Sequence, residues 1–192
     1  MILKFRNKQL EFGKRTLIMG ILNITPDSFS DGGDNFNIQR ALEHALQMIN
    51  DGADIIDIGG ESTRPGSEFV SEEEELKRVI PVIKELSKIT DIPISIDTYK
   101  ASVAEKAILA GADIINDIWG LQKDEKMAET AAKYNVPVIA MHNHEGHEYS
   151  GDIMNELKKF FEKTFEIAEN AGIPKENIIL DPGIGFGKVY EQ

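Results

Sequence analysis

A chain of 192 residues and 21.4 kDa has the size of one domain and can bury one sizeable core. Hydrophobic residues make up 41% and charged residues 28%, which excludes a disordered or fibrous chain. A net charge of −12 argues against unspecific binding to nucleic acid or anionic membrane, and the absence of cysteine excludes disulfides, thiolate metal sites and a cysteine nucleophile.

The first residues carry basic side chains without a long apolar run, so neither a signal peptide nor a membrane span is expected and the expected location is the cytoplasm. Ile2 to Phe5 and Gln9 to Phe12 read as a small hairpin. The apolar run Leu17 to Asn23 predicts the first buried strand. Ile38, Ala41, Leu42, Ala45 and Ile49 then follow helical spacing, with Gly52 where a left-handed cap belongs. After the run Ile55 to Gly59, Ser71 and Glu74 form a capping box for a helix that Pro81 should kink. The run Ile92 to Asp97 precedes a helix from Lys100 to Ala110, and Ile114 to Asp117 precedes one from Lys123 to Tyr134. Val136 to His142 precedes a helix carrying Leu157, Phe160, Phe161, Thr164 and Ala168, and Ile178 to Asp181 is the last run. The runs lack clean polar alternation, as expected of parallel strands buried on both faces. Gly52-Ala53-Asp54-Ile55-Ile56 recurs as Gly111-Ala112-Asp113-Ile114-Ile115, which supports a repeated βα unit.

Alternating βα units permit an open doubly wound sheet or a closed barrel. The runs end in Asn23, Asp57 with Gly59 and Gly60, Asp97, Asn116 and Asp117, His142, and Asp181. An open sheet gathers ligands at one switch point, whereas a barrel brings every strand end to one mouth. The expected fold is therefore an α/β (β/α)₈ TIM barrel with the hairpin as a plug. Such barrels take about 250 residues, so the expectation is a single barrel domain over 1–192, truncated after about six strands.

The loops after the first two runs carry the densest polar chemistry. Asn23-x-Thr25-Pro26-Asp27-Ser28-Phe29-Ser30-Asp31-Gly32-Gly33 and Asp57-Ile58-Gly59-Gly60-Glu61-Ser62-Thr63-Arg64-Pro65-Gly66 resemble the two signature loops of the dihydropteroate synthase family. Ser95 to Lys100, Ile115-Asn116-Asp117, Met141-His142 and Asp181 to Lys188 are similar to later blocks of that family in the same order. The resemblance implies a transferase of folate synthesis. It would join 6-hydroxymethyl-7,8-dihydropterin diphosphate to 4-aminobenzoate, with Mg²⁺, giving 7,8-dihydropteroate and diphosphate.

By the same resemblance Asp97, Asn116 and Asp181 would meet the pterin, with Met141 as an apolar neighbour. Phe29, Thr63, Arg64 and Pro65 would frame 4-aminobenzoate. Asn23 would be the magnesium position, and Asp31 a catalytic carboxylate stabilising cationic character at the reacting methylene. The partners implied are small molecules, with no nucleic acid or membrane, and a homodimer for the full-length enzyme. The alternatives are a non-catalytic or methyltetrahydrofolate-type pterin-binding barrel, and an inactive fragment. Both signature loops favour the synthase.

Other features read blandly. Gly183 to Lys188 fails the phosphate-loop spacing. His142, His144 and His147 read as an exposed polar loop, Glu72 to Glu75 as a solvated face, and Trp119 as packing behind the fourth buried strand. The family's later Ser-Arg-Lys and Arg-x-His blocks are absent, and the run after Met141-His142 departs from the common pattern. A barrel short of two strands leaves two open sheet edges, so this chain alone is expected to be inactive and to be poorly soluble, partly molten or oligomeric.

Overall fold

Six short apolar runs become six parallel strands. The computed structural model describes residues 2–6, 8–24, 34–61, 69–144, 146, 149 and 151–189. A hairpin of β1 (Ile2–Phe5) and β2 (Lys8–Glu11) comes first, paired antiparallel with Phe5 opposite Lys8. Then follow β3 (Met19–Asn23), α1 (Asp34–Asn50), β4 (Ile55–Gly59), α2 (Glu72–Ile89), β5 (Ile94–Asp97) and α3 (Ala101–Ala110). The described elements continue with β6 (Ile114–Asp117), α4 (Met127–Tyr134), β7 (Val138–Met141), α5 (Ile153–Ala171) and β8 (Ile178–Asp181). Strands β3 to β8 pair in chain order. A doubly wound sheet reverses its order at a switch point; this sheet does not, as the wall of a (β/α) barrel requires.

Side-chain parity separates two cores. Leu22, Ile56, Ile58, Ile94, Ile96, Ile115, Val138, Ala140 and Ile178 face the helices, where Ala41, Val79, Ile83 and Ala104 cover them. The opposite face carries Ile55, Ile114 and Ile139, packed against Leu3, Phe5 and Leu10 of the hairpin with Met19 and Ile179 alongside. The hairpin thus plugs the end of the sheet where the strands begin. Strands apolar toward the helices, and apolar toward the interior only at their beginnings, explain why no clean alternation is visible in the sequence.

The repeated Gly-Ala-Asp-Ile-Ile segment is a structural device used twice. Gly52 and Gly111 take φ of +107° and +127°, which turns the chain out of its helix where a β-carbon would be strained. The following aspartate then ties the new strand to the preceding one. Asp54 accepts from Ile18 N at 2.9 Å, and Asp113 from Ile94 N at 3.1 Å. Each also holds a basic residue from the N-terminal segment: Arg15 pairs with Asp54, and Lys8 Nζ lies 2.7 Å from Asp113.

Two local expectations need correction. The helix expected from Lys123 begins at Met127: Asp124 forms the turn ahead of it, its Oδ1 accepting from Lys126 N at 3.0 Å, while its Oδ2 accepts from Ala101 N at 2.8 Å at the start of α3. The run Glu72 to Glu75 is not all solvated, since Glu75 is only 1% exposed and pairs with Lys100. Trp119 is half-buried beyond the end of β6, with Lys123 Nζ 4.5 Å from the centre of its ring. In the expected capping box, Ser71 Oγ accepts from Glu74 N at 3.3 Å, while the Glu74 carboxylate turns to Arg78. Helix α2 continues through Pro81 to Ile89.

Candidate functional site

Following parity upward from the plugged end gives the site. On the interior face, Met19 leads to Ile21 and Asn23, Ile55 to Asp57 and Gly59, and Ile114 to Asn116, while Ile139 leads to Met141 and Ile179 to Asp181. On β5, Ile94 and Ile96 belong to the helix side, which leaves Ser95 and Asp97 inside. The strand beginnings are therefore apolar inside and the strand ends polar. Sheet register places Asn23 beside Gly59, Gly59 beside Asp97 and Asp97 beside Asn116; Met141 and Asp181 form a second row.

Gly59 matters because of what it leaves open. A β-carbon there would sit 3.3 Å from Asp97 Oδ2 and 3.4 Å from Asn23 Oδ1, so the glycine separates these two oxygens with backbone alone. Below them, Asn116 Nδ2 donates to Asp57 Oδ2 at 2.9 Å, with Asp57 and Asn116 3% and 9% exposed. Asp57 Oδ1, Ser95 Oγ and Asp97 Oδ1 are buried without a protein hydrogen-bond partner among the described residues. Buried oxygens of this kind favour a ligand rich in N–H donors.

Burial sets the local titration. It pushes the Asp97 carboxyl well above the ordinary carboxylate range, reinforced by the charges of Asp57, Glu75, Asp117 and Glu61. Asp57 is also raised by burial, while the Ser95 hydroxyl and the Asn116 amide pull it down. A cationic or N–H-rich group brought between these acids stabilises their charged forms.

At the other end of the sheet, Asp181 Oδ1 accepts from Gly183 N at 2.7 Å, so one carboxylate oxygen shapes the turn. Met141 is buried beside it. His142, expected in an exposed loop, is instead only 3% exposed, with the Phe160 ring 4.8 Å away and Lys188 Nζ 2.8 Å from its Nδ1. Burial pushes its imidazole down to about 4, and the Lys188 ammonium adds to that. Lys188 Nζ also donates to Gly183 O and Phe186 O at 3.1 and 3.0 Å, and so clamps the glycine-rich loop instead of facing a phosphate. His144 is exposed, and His147 lies outside the described residues.

Of the residues singled out from the sequence, the structure brings Asn23, Asp97 and Asn116 together and places Met141 and Asp181 on the same interior face. Phe29, Asp31, Thr63, Arg64 and Pro65 lie outside the described residues. Asp57 and Ser95 belong to the site too. Asp57 stands among the polar strand ends read from the sequence and Ser95 within a family-like block, but that they share the interior face with Asp97 shows only once the parity of the strands is known.

The donor set for a magnesium ion is small. Among the described residues no group of three His, Asp or Glu converges on one point. Asn23 offers one exposed amide oxygen across Gly59 from the Asp97 carboxylate. This suits a hard cation that keeps its waters and takes its remaining ligands from a diphosphate.

Comparison with known proteins places this geometry. The family described as "Pterin binding enzyme" matches residues 19–192. The dihydropteroate synthase of Clostridium beijerinckii is 60% identical over 99% of this chain and 70% of that protein. That of Bacillus subtilis is 57% identical over 94% of this chain and 63% of that protein. The crystal structure of a dihydropteroate synthase from Clostridium difficile, determined in the presence of pteroic acid, superposes with a TM-score of 0.92 at 58% identity, covering 95% of this chain and 70% of the other. The chain thus spans about two thirds of the length of these relatives.

Proposed function

The chain belongs to the dihydropteroate synthase family of transferases, and on that premise we propose that the whole protein joins 4-aminobenzoate to 6-hydroxymethyl-7,8-dihydropterin diphosphate, giving 7,8-dihydropteroate and diphosphate. The observation that carries this reading is the interior row of Asn23, Gly59, Asp97 and Asn116, with buried oxygens around it that have no partner among the described residues.

A pterin carries adjacent N–H groups on one edge, and in this reading Asp97 accepts from that edge. Asn116 and the Asp181 oxygen not used by Gly183 complete the polar contacts, while Met141 lies against the apolar part of the ring. The C–O bond to diphosphate breaks, its electron pair leaves with the diphosphate, and the positive charge spreads from the methylene into the ring. The lone pair of the 4-aminobenzoate nitrogen then forms the N–C bond, and the nitrogen releases a proton. Asp31 stabilises the positive charge electrostatically, and Phe29, Thr63, Arg64 and Pro65 frame 4-aminobenzoate. Asn23 would hold magnesium, which supplies positive charge to the departing diphosphate. A cytoplasmic location and a homodimer complete the proposal. No helix among the described residues is long and apolar enough to cross a membrane.

The test is single-turnover chemistry with the whole protein, both substrates and Mg²⁺, alongside the variant Asp97→Asn. Equimolar dihydropteroate and diphosphate are expected, with pterin affinity falling tenfold or more in the variant. Pterin binding without product would identify a non-catalytic pterin-binding barrel. Unchanged affinity in Asp97→Asn would remove Asp97 from the site.

A further inference from the structure

The family reading leaves Asp57 without a task, although it is a buried acid at the base of the site. Its Oδ2 accepts from Asn116 Nδ2 at 2.9 Å, its neighbours in register are Ile21 and Ser95, and its Oδ1 has no protein partner among the described residues. An asparagine amide offers a donor on one side and an acceptor on the other, and the two orientations have nearly the same shape. An ionised carboxylate has only acceptors, and the Asn116 amide donating to Asp57 favours that ionised form. With a carboxylate below it, Asn116 is stable with its nitrogen down; turned over, two buried oxygens would face each other without a proton between them.

We propose that Asp57 is a positioning residue: by accepting from Asn116 Nδ2 it holds the amide with Oδ1 turned to the ligand, so that the site selects a ligand presenting an N–H at that point. This rests on the reading of the interior as a pterin site and deepens it. Recognition at Asn116 is then set one layer beneath the ligand. The selectivity is steep because a ligand with an acceptor at that position meets a second acceptor that cannot rotate away. Neither Asp57 nor Ser95 needs to touch the ligand for this.

The experiment measures pterin diphosphate affinity by calorimetry, together with KM for each substrate, in the whole wild-type protein, Asp57→Asn, Asn116→Asp and the swap carrying both changes. In Asp57→Asn the new amide can accept from Asn116 Nδ2 or donate to Asn116 Oδ1, so the orientation of Asn116 is no longer fixed. The expected result is a tenfold to hundredfold weaker pterin, roughly the range of one buried hydrogen bond lost, with KM for 4-aminobenzoate unchanged. In the swap, the amide introduced on β4 donates to the carboxylate introduced on β6. The donor and acceptor have changed places, but an acceptor oxygen again faces the ligand, and most of the affinity is expected to return. A wild type that binds no pterin would remove the underlying reading. With a binding wild type, Asp57→Asn at full affinity, or a folded swap no tighter than the single variants, would overturn the positioning role. Should variants fail to fold, the Asn116 side-chain NH₂ signals in the ¹⁵N-labelled wild type decide: one proton hydrogen-bonded before and after pterin binding is expected. A bond formed only on binding would overturn the proposal.

Discussion

Single buried charges are where this chain departs furthest from a reading by composition. Asp117 accepts from Trp119 N and Leu121 N at 2.9 and 2.8 Å and so braces a turn in which Gly120 and Leu121 take positive φ. Burial raises its carboxyl to about 6, and the two backbone N–H bonds only partly offset that. Between pH 4 and 6 the folded protein therefore keeps a proton that the unfolded chain has lost, and this residue's contribution to stability falls as pH rises. Asp117→Asn loses one backbone hydrogen bond at every pH but removes this dependence. Relative to the variant, the wild type is expected to lose about 3 kcal/mol between pH 4 and well above pH 6, measured by urea unfolding across that range; parallel pH curves would contradict the assignment. Lys100 is a second case, lying between Glu61 and Glu75 with all three side chains at most 12% exposed. Lys100→Met leaves two buried carboxylates unpaired and is expected to cost about 3–5 kcal/mol, whereas Lys77→Met, whose partner Glu73 is exposed on α2, should leave the urea midpoint unchanged. These residues also mark what was hidden in the sequence. Glu75 stands in an acidic run, and only a lysine 25 positions away shows that one member is buried; His142 likewise meets Lys188 46 positions away. Local pattern carries no trace of such partners.

At the scale of elements, legibility was much higher. Strand ends, helix-closing glycines and the hairpin follow from short-range chemistry, and they fall within one residue of where the runs and caps of the sequence put them. The start of α4 is less legible because Asp124, three residues ahead of Met127, forms a turn that bridges to the first residue of α3, a partner 23 positions away. The loop leaving β8 gives the sharpest test. Gly183 takes φ of +65°, and a β-carbon there would lie 2.1 Å from His142 O, in the backbone that carries β7 into its own loop. Gly183→Ala meets both a disfavoured backbone conformation and a clash that no rotamer relieves. It is expected to destabilise the protein by about 3 kcal/mol or more. Because Asp181 Oδ1 receives the Gly183 N–H, the same change is expected to weaken pterin binding in the folded fraction, while Gly172→Ala, where a β-carbon meets nothing within 4 Å, should affect stability alone. Thermal unfolding paired with calorimetry separates the two effects.

Across the whole molecule, stability and recognition occupy opposite ends of the same sheet interior. The hairpin closes the end where the strands begin, with Leu3 and Phe5 each 2% exposed against Ile55, Ile114 and Ile139. The polar row lies at the other end, and the layer of Ile21, Asp57 and Ser95 separates them. Among the described residues, the ion pairs that tie the hairpin and its turn to the barrel wall, those of Arg6 and Lys8, end on Asp113 at the entry to β6, not on Asp97 or Asn116. A cavity opened under the plug therefore removes packing without moving the amide and carboxylate oxygens above it. Phe5→Ala is expected to cost about 3–5 kcal/mol by loss of a buried aromatic ring, seen as a lower urea midpoint. Pterin affinity, measured well below the new melting temperature, is expected to stay within about threefold, since a change of less than about 0.7 kcal/mol is what an undisturbed site allows. A larger loss of affinity would mean that the plug holds the strand ends in register, making the two halves of the interior one mechanical unit.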